Sequence, residues 1–167
     1  MNCSRRVRRK ESSSFNLETD MTTLKDRLAE LGHTLPEMGA PAANYLHNRE
    51  RDGLLVISGQ IATPGRGPGL DAEAARAEAE IAALKLLAVL NEAVGGDLSR
   101  VKQVLRLGVF IAAEPGFTQH STVADGASNL VVAALGERGR HARAAVGVAS
   151  LPAGAAVEVE ALVELVS

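Results

Sequence analysis

The residues best suited to chemistry lie near the end of the chain, between residues 140 and 166. An alternating run contains the lone arginine Arg143 among small residues, and a Leu-Pro-Ala-Gly turn signal separates it from a second alternating run. One side of the second run carries Glu158, Glu160 and Glu164. An arginine on one strand and glutamates on the next predict a hairpin. Arg143 could form an ion pair with Glu158 or Glu160, between strands or between subunits, or could bind a charged ligand.

The alternation also assigns side chains to the two faces of a sheet. In the first run Arg143, Ala145 and Gly147 share one side. In the second run the apolar side consists of Val157, Val159, Ala161, Val163 and Leu165. With helices over that apolar side, the small residues of the first run and the glutamates of the second fall on the uncovered face. Such a face predicts an oligomer packed through it.

Periodicity and turn signals predict the elements that must position these residues. In chain order they are a short helix at Thr23–Leu31, a strand beginning at Tyr45–His47 before a charged turn at 49–53, a strand at Leu54–Ser58, a helix at Asp71–Val94, a strand at Val101–Ala113, a helix at Phe117–Leu135 and the two strands of the hairpin. This order favours an α+β fold in which two main helices pack on one face of a mixed sheet.

Composition is that of an ordinary globular protein of one domain. The chain has 167 residues, of which 46% are hydrophobic and 23% charged, and its net charge is −2. With aromatic residues at 2% there is little surface for stacking bases, so nucleic acid is an unlikely partner. Because no apolar run is long enough to span a bilayer, no membrane association is expected. The four histidines show no metal-site spacing, and no cofactor is expected.

The first twenty residues differ in composition from the rest. They are rich in Arg, Ser and Glu, contain the single cysteine, Cys3, and precede a far more regular sequence that opens at Met21. We predict a disordered leader at 1–20 and one domain at 21–167. A lone cysteine in a polar segment cannot form a disulfide within the chain, which fits a reducing, cytoplasmic location.

Several motifs, taken together in their order and spacing, resemble one family. They are Ser58-Gly59-Gln60-Ile61 after the apolar strand, Arg143 eight residues before Leu151-Pro152, and Val157-Glu158-Val159-Glu160-Ala161. Over about residues 41–165 the chain resembles the YjgF-type reactive-intermediate deaminase (Rid) superfamily, also labelled endoribonuclease L-PSP. The stretches 123–128 and 139–143 look more like a poorly characterised branch than the well-studied deaminase branch.

The resemblance implies a chorismate-mutase-like α+β fold and a homotrimer with clefts between subunits. In the deaminase branch, water converts 2-imino acids to 2-keto acids and ammonia. Arg143 then matches the arginine that holds the substrate carboxylate, and Glu158 the glutamate near the hydrolytic water. Tyr45 and Gly59 match residues of the cleft. Planar guanidinium donors suit a carboxylate, and a glutamate suits a water molecule.

Two positions depart from the deaminase branch. Ala145 stands where that branch has a cysteine, although its main chain could still contact substrate, and an ungapped count places Gly126 where it has an asparagine. These departures leave room for a non-catalytic trimer that binds a small carboxylate metabolite. Endoribonuclease activity is a weaker alternative, because the domain is not basic. His141, on the same strand side as Arg143, could assist proton transfer or lie at an interface.

Overall fold

The computed structural model describes residues 23–166. The predicted leader at 1–20, with Cys3, lies outside the described residues. Within them the elements are α1 (Leu24–Glu30), β1 (Asn48–Arg51), β2 (Leu54–Ile61), α2 (Ala72–Ala93), β3 (Val101–Ala112), α3 (His120–Leu135), β4 (Ala142–Val148) and β5 (Val157–Leu165). This is the predicted order of helices and strands, and the α+β class is confirmed. No helix in this part of the chain is long and apolar enough to cross a membrane.

The five strands form one mixed sheet in the order β1-β2-β5-β3-β4. β3 and β4 are parallel, joined by a crossover through α3, and the other neighbours are antiparallel. The predicted hairpin of β4 and β5 is therefore wrong, because β3 lies between them. The physical reason is burial. β5 carries an uninterrupted apolar side and belongs at the centre of the sheet, whereas the small residues of β4 suit an edge.

The first hairpin also differs from its prediction. Arg49, Glu50 and Arg51 belong to β1 and pair with β2, whereas Tyr45 to His47 precede the strand. Charged side chains are tolerated there because β1 is an edge strand that faces solvent. The tight turn consists only of Asp52-Gly53, whose φ angles of 52° and 76° suit a two-residue hairpin loop.

The core lies between the sheet and the two long helices. Asp71 begins α2 by accepting a hydrogen bond from the backbone N–H of Ala74 at 2.8 Å. Small buried residues on α2 and α3 bring these helices close together, and the apolar side of β5 packs beneath them. α1 adds Leu24 and Leu28, both fully buried, to the same core. Two main helices on one sheet face are thus as predicted.

Among residues 23–166, no helix lies over the opposite face of the sheet. It exposes apolar side chains, with Val56 53% and Val146 45% accessible, beside Glu158 and Glu160 of β5. The glutamates lie on the uncovered face, as expected. Arg143, Ala145 and Gly147 do not, which corrects the prediction. Arg143 bonds to α3, Ala145 packs against the core, and a Cβ atom at Gly147 would meet His120 of α3. The register with β3 decides the faces of β4: Arg143 is opposite the buried Leu107, so its side chain lies on the helix-covered face.

Candidate functional site

A cleft of about 660 Å³ opens at the edge of β2. Its lining includes Tyr45, Gly59 and Glu158, three residues singled out from the sequence, together with the 36–42 loop and the turn at Pro152. β2 reaches this place through a bulge, because Ile57 pairs with Ala161 whereas Gln60 pairs with Val159, only two residues away. The extra residue shifts the phase of the strand and places Gly59 against the cleft.

Gly59 makes room for the carboxylate of Glu158. A Cβ atom at position 59 would overlap Glu158 Oε1 and lie 2.7 Å from its Cδ. A side chain at this position would therefore push the carboxylate out of its place. The position of the Glu158 carboxylate directly over Gly59 explains why a glycine suits the wall of the cleft.

The three glutamates of β5 have different surroundings. Glu160 forms an ion pair with Arg106 at 2.9 Å, and Glu164 forms one with Lys102 at 2.7 Å. Among the described residues, no cation or hydrogen-bond donor pairs with the Glu158 carboxylate, although it lines the cleft. Partial burial, and then the charge of nearby Glu160, raise the pKa of Glu158 above its ordinary value. A half-buried, unpaired carboxylate of raised pKa is suited to accepting a proton from water.

This raised pKa predicts a pH dependence of stability. A carboxyl whose pKa is higher in the folded state favours folding when protonated, and this contribution is lost as pH rises through the folded-state value. Replacing Glu158 by glutamine removes the free-energy cost of keeping a half-buried carboxylate ionised at neutral pH. We expect the melting temperature of Glu158→Gln to exceed that of the wild type at neutral pH, with a difference that shrinks as the pH falls to about 4.

Thermal melts across this pH range measure the difference. Glu164→Gln is the matched control, because it removes a carboxylate on the same face that already has Lys102 as partner and, unlike Glu160, is not one of the charges that raise the pKa of Glu158. It is expected to lose an ion pair instead of gaining stability at neutral pH. A Glu158→Gln offset that stays constant with pH would contradict the assigned environment.

Two further residues of the cleft were not predicted as site residues. Lys85 of α2 lines it, and its Nζ donates to the carbonyls of Ile61 and Ala62 at 2.8 and 3.0 Å, which ties the helix to the end of β2. His47 also lines it, with Nε2 2.9 Å from the Gly39 carbonyl oxygen. Neither role could be seen in the sequence, because Lys85 fits the ordinary period of a helix and His47 lies in a loop. The cleft that they line forms only when the 36–42 loop meets the β2 bulge.

Arg143 lies in a separate cluster between β4 and α3. Its Nη1 donates to Asp125 Oδ1 at 2.9 Å and to Ser128 Oγ at 3.0 Å, and its Nη2 lies 3.4 Å from the Ser121 carbonyl oxygen. The ion pair proposed for Arg143 with Glu158 or Glu160 is therefore not formed within one chain, because Asp125 takes that place. The guanidinium already holds one carboxylate, and the Asp125 side chain is 51% exposed.

Arg143 and Glu158 project from opposite faces of the sheet. Arg143 is in register with Leu107 of β3, and Glu158 is in register with Phe110. Side chains alternate along a strand, so a separation of three residues puts them on opposite faces. Tyr45, Gly59 and Glu158 thus share one cleft, whereas Arg143 and Ala145 lie at the other edge of the sheet. One chain does not bring the two groups together.

Gly126 is a packing residue in α3. A Cβ atom at this position would lie on the backbone carbonyl oxygen of Arg76 in α2. Gly126 therefore allows the two helices to approach closely, and no side chain at 126 could reach the Arg143 cluster without moving α2. Asp125 and Ser128, on either side of it, supply the polar groups there instead.

Among residues 23–166, no group of three or more His, Cys, Asp or Glu side chains is placed to hold a metal ion.

The candidate site has two parts, which are Glu158 with its cleft on one face and the Arg143 cluster at the far edge. Each part offers hydrogen bonding and proton transfer.

Comparison with known proteins places the chain in a family. The family profile described as Endoribonuclease L-PSP matches residues 36–165. Protein TCP17 of Trypanosoma cruzi is 46% identical over 147 residues, which are 83% of this chain and 91% of that protein. The crystal structure of Atu1372 from Agrobacterium tumefaciens, a protein of unknown function, is 43% identical, with a TM-score of 0.77 over 86% of this chain and 94% of that one.

A RidA from the Antarctic bacterium Psychrobacter sp. PAMC 21119 is 29% identical. It superposes with a TM-score of 0.52 over 75% of this chain and 93% of its own. The family profile covers most of the chain, and the fold agrees with the chorismate-mutase-like expectation. The chain therefore belongs to the endoribonuclease L-PSP family, within the YjgF-type Rid superfamily.

Proposed function

We propose that the protein hydrolyses 2-imino acids to 2-keto acids and ammonia at clefts between the subunits of a homotrimer. The observation that carries the proposal is the Glu158 carboxylate, which lies in a cleft beside Gly59 and Tyr45, has no cation or hydrogen-bond donor as partner among residues 23–166, and has a raised pKa. An unpaired carboxylate in a partly desolvated cleft is costly for folding, which favours a role in binding or proton transfer.

The reaction needs few groups. Arg143 would hold the substrate carboxylate with two parallel N–H donors after Asp125 turns away. Glu158 would orient a water molecule and take its proton as the oxygen bonds to C2 of the imine. Glu158 returns this proton to the imine nitrogen, which completes a carbinolamine. The carbinolamine hydroxyl then loses its proton, Glu158 passes that proton to the nitrogen, the C–N bond breaks, and ammonia leaves as the keto oxygen forms. The atoms of one water and one imine are all accounted for.

A second and a third copy of the chain are needed for this arrangement. Arg143 and Glu158 project from opposite faces of the sheet, so one chain cannot put both against a small substrate. The uncovered face carries exposed Leu54, Val56 and Val146, the kind of apolar patch that marks an interface. The number three comes from the likeness to the Rid superfamily, whose clefts lie between subunits.

A non-catalytic binding trimer is the main alternative, and one observation favours it. The guanidinium of Arg143 already binds a carboxylate, that of Asp125, which suits simple recognition of a small acid. Ribonuclease activity has less support, although the family bears that label. The net charge of −2 gives no field for a polyanion, and aromatic residues are scarce.

Incubation of the purified protein with a freshly generated 2-imino acid, with ammonia or keto acid as the readout, tests the proposal. We expect hydrolysis well above the rate in buffer, and a trimer by light scattering at the same concentration. Thermal stabilisation by 2-keto acids without turnover would instead identify the binding module. A monomeric protein, or a rate no higher than in buffer, would refute the deaminase proposal.

A further inference from the structure

Ser128 of α3 and His141, just before β4, form a hydrogen-bonded pair that imine hydrolysis does not use. Ser128 Oγ lies 3.0 Å from His141 Nε2, and His141 Nδ1 lies 2.6 Å from the carbonyl oxygen of Gly139. Arg143 Nη1 lies 3.0 Å from the same serine oxygen. The three contacts join a hydroxyl, an imidazole and a guanidinium in one chain of hydrogen bonds.

The direction of each bond follows from the chemistry of its atoms. A carbonyl oxygen only accepts, so His141 Nδ1 carries a hydrogen and donates it to Gly139. In the neutral imidazole, Nε2 is then the acceptor, and the hydroxyl of Ser128 donates to it. Arg143 only donates, so the serine oxygen receives its N–H. The proton of Ser128 therefore points at a base, and its oxygen faces a positive charge.

We propose that Ser128 is an activated nucleophile that takes acyl groups from small esters, with His141 as its base. A nucleophile and a base within hydrogen-bond reach, with the base oriented by a third group, is the arrangement of serine hydrolases. Here the Gly139 carbonyl orients the imidazole. The Arg143 N–H, aimed at the serine oxygen, stabilises the negative charge that grows there as the proton leaves.

The step balances as follows. Ser128 Oγ bonds to the ester carbonyl carbon while its proton moves to His141 Nε2. The tetrahedral intermediate collapses, the bond to the leaving alcohol breaks, and that alcohol takes the proton from Nε2. A water molecule then bonds to the acyl carbon while its proton moves to His141 Nε2. The bond from that carbon to Ser128 Oγ breaks, the serine oxygen takes the proton from Nε2, and the acid leaves.

The pair is placed where a small reagent could reach it. Ser128 and His141 are half-buried rather than sealed in the core, and β4 is an edge strand. The Arg143 side chain is 22% exposed and that of Asp125 is 51% exposed. A purely structural reason for the contacts, that they fasten β4 to α3, makes no demand on the reactivity of the hydroxyl. Reactivity is therefore the property to measure.

The test is covalent labelling of the full-length protein with diisopropyl fluorophosphate, followed by intact mass and peptide mapping. The serine oxygen bonds to phosphorus, fluoride leaves, and the proton goes to His141. We expect one adduct per chain, at Ser128, and none in Ser128→Ala. His141→Gln keeps a group able to bond to Ser128 but not a base, and is expected to slow labelling by about 100-fold or more.

Thr122→Ala is the matched control, because Thr122 is an exposed hydroxyl on the same helix, and it should label like the wild type. A burst of p-nitrophenol from p-nitrophenyl acetate, equal to the chain concentration, gives a second readout that His141→Gln should remove. No adduct, an adduct elsewhere, or an unchanged rate in His141→Gln would overturn the proposal. Neither measurement uses an imino acid. A negative result here therefore does not affect the deaminase proposal, and a negative deaminase assay does not affect the serine proposal.

Discussion

Replacement of Arg143 by alanine is expected to lower kcat/KM for a 2-imino acid by about 100-fold or more. Loss of one partner of a desolvated, hydrogen-bonded charge pair costs about 2–5 kcal/mol in binding, and 2.7 kcal/mol corresponds to a factor of about 100. Because the carboxylate is bound both before and during the reaction, much of the loss should fall on KM. Steady-state kinetics with a freshly generated imino acid measures it.

Lysine at the same position separates charge from geometry. Arg143→Lys keeps the positive charge but cannot present two parallel N–H donors, so it is expected to recover only a small part of the activity. Folding should survive either change. Asp125, the partner left behind, is 51% exposed and can be solvated by water.

Arg140→Ala is the matched control for these variants. Arg140 is an exposed arginine three residues away that pairs with Glu137 at 2.9 Å on the surface. Its loss should change kcat/KM little. Equal activity of Arg143→Ala and wild type, with both proteins trimeric, would remove Arg143 from the site and leave Glu158 without its proposed partner.

The helices and strands of this fold could be predicted from the sequence, because they depend on local periodicity. The apolar side of β5 alternates without interruption, and α2 begins at the capping residue Asp71, so both could be predicted. Which strands pair is a non-local property. Arg143 and Glu158 are fifteen residues apart across a turn, and alternation alone could not show that β3 lies between their strands.

Local periodicity could not group the residues of the candidate site, and only the family resemblance brought them together. Tyr45, Gly59 and Glu158 come from distant parts of the chain, yet one cleft contains all three. The partners of Arg143 were not predictable, because Asp125 and Ser128 lie on a helix whose packing depends on the chain crossing over the sheet. A helical residue becomes a partner of an edge strand only once that crossover is known.

Gly126→Asn, which introduces the asparagine that an ungapped count against the deaminase branch assigns to this position, is expected to destabilise the protein by about 3 kcal/mol. A Cβ atom at 126 would lie on the Arg76 carbonyl oxygen, a backbone atom that can move only if α2 moves. Overpacking of a well-packed core costs about 1–3 kcal/mol, and the polar amide adds a desolvation cost. Deaminase activity should not rise, because a side chain at 126 points at α2 and its amide cannot reach Arg143.

Urea unfolding of the variant and the wild type measures this loss, with Ala133→Asn as the control. Ala133 is an exposed residue of the same helix, so asparagine there costs only helix propensity, about 0.7 kcal/mol or less. Gly126→Ala extends the series: alanine in place of glycine within a helix normally stabilises by about 0.5–1 kcal/mol, but here the contact with Arg76 should reverse the sign. A stabilised Gly126→Ala would mean that α2 and α3 are farther apart than the structure has them, and that position 126 could after all carry a side chain toward the site.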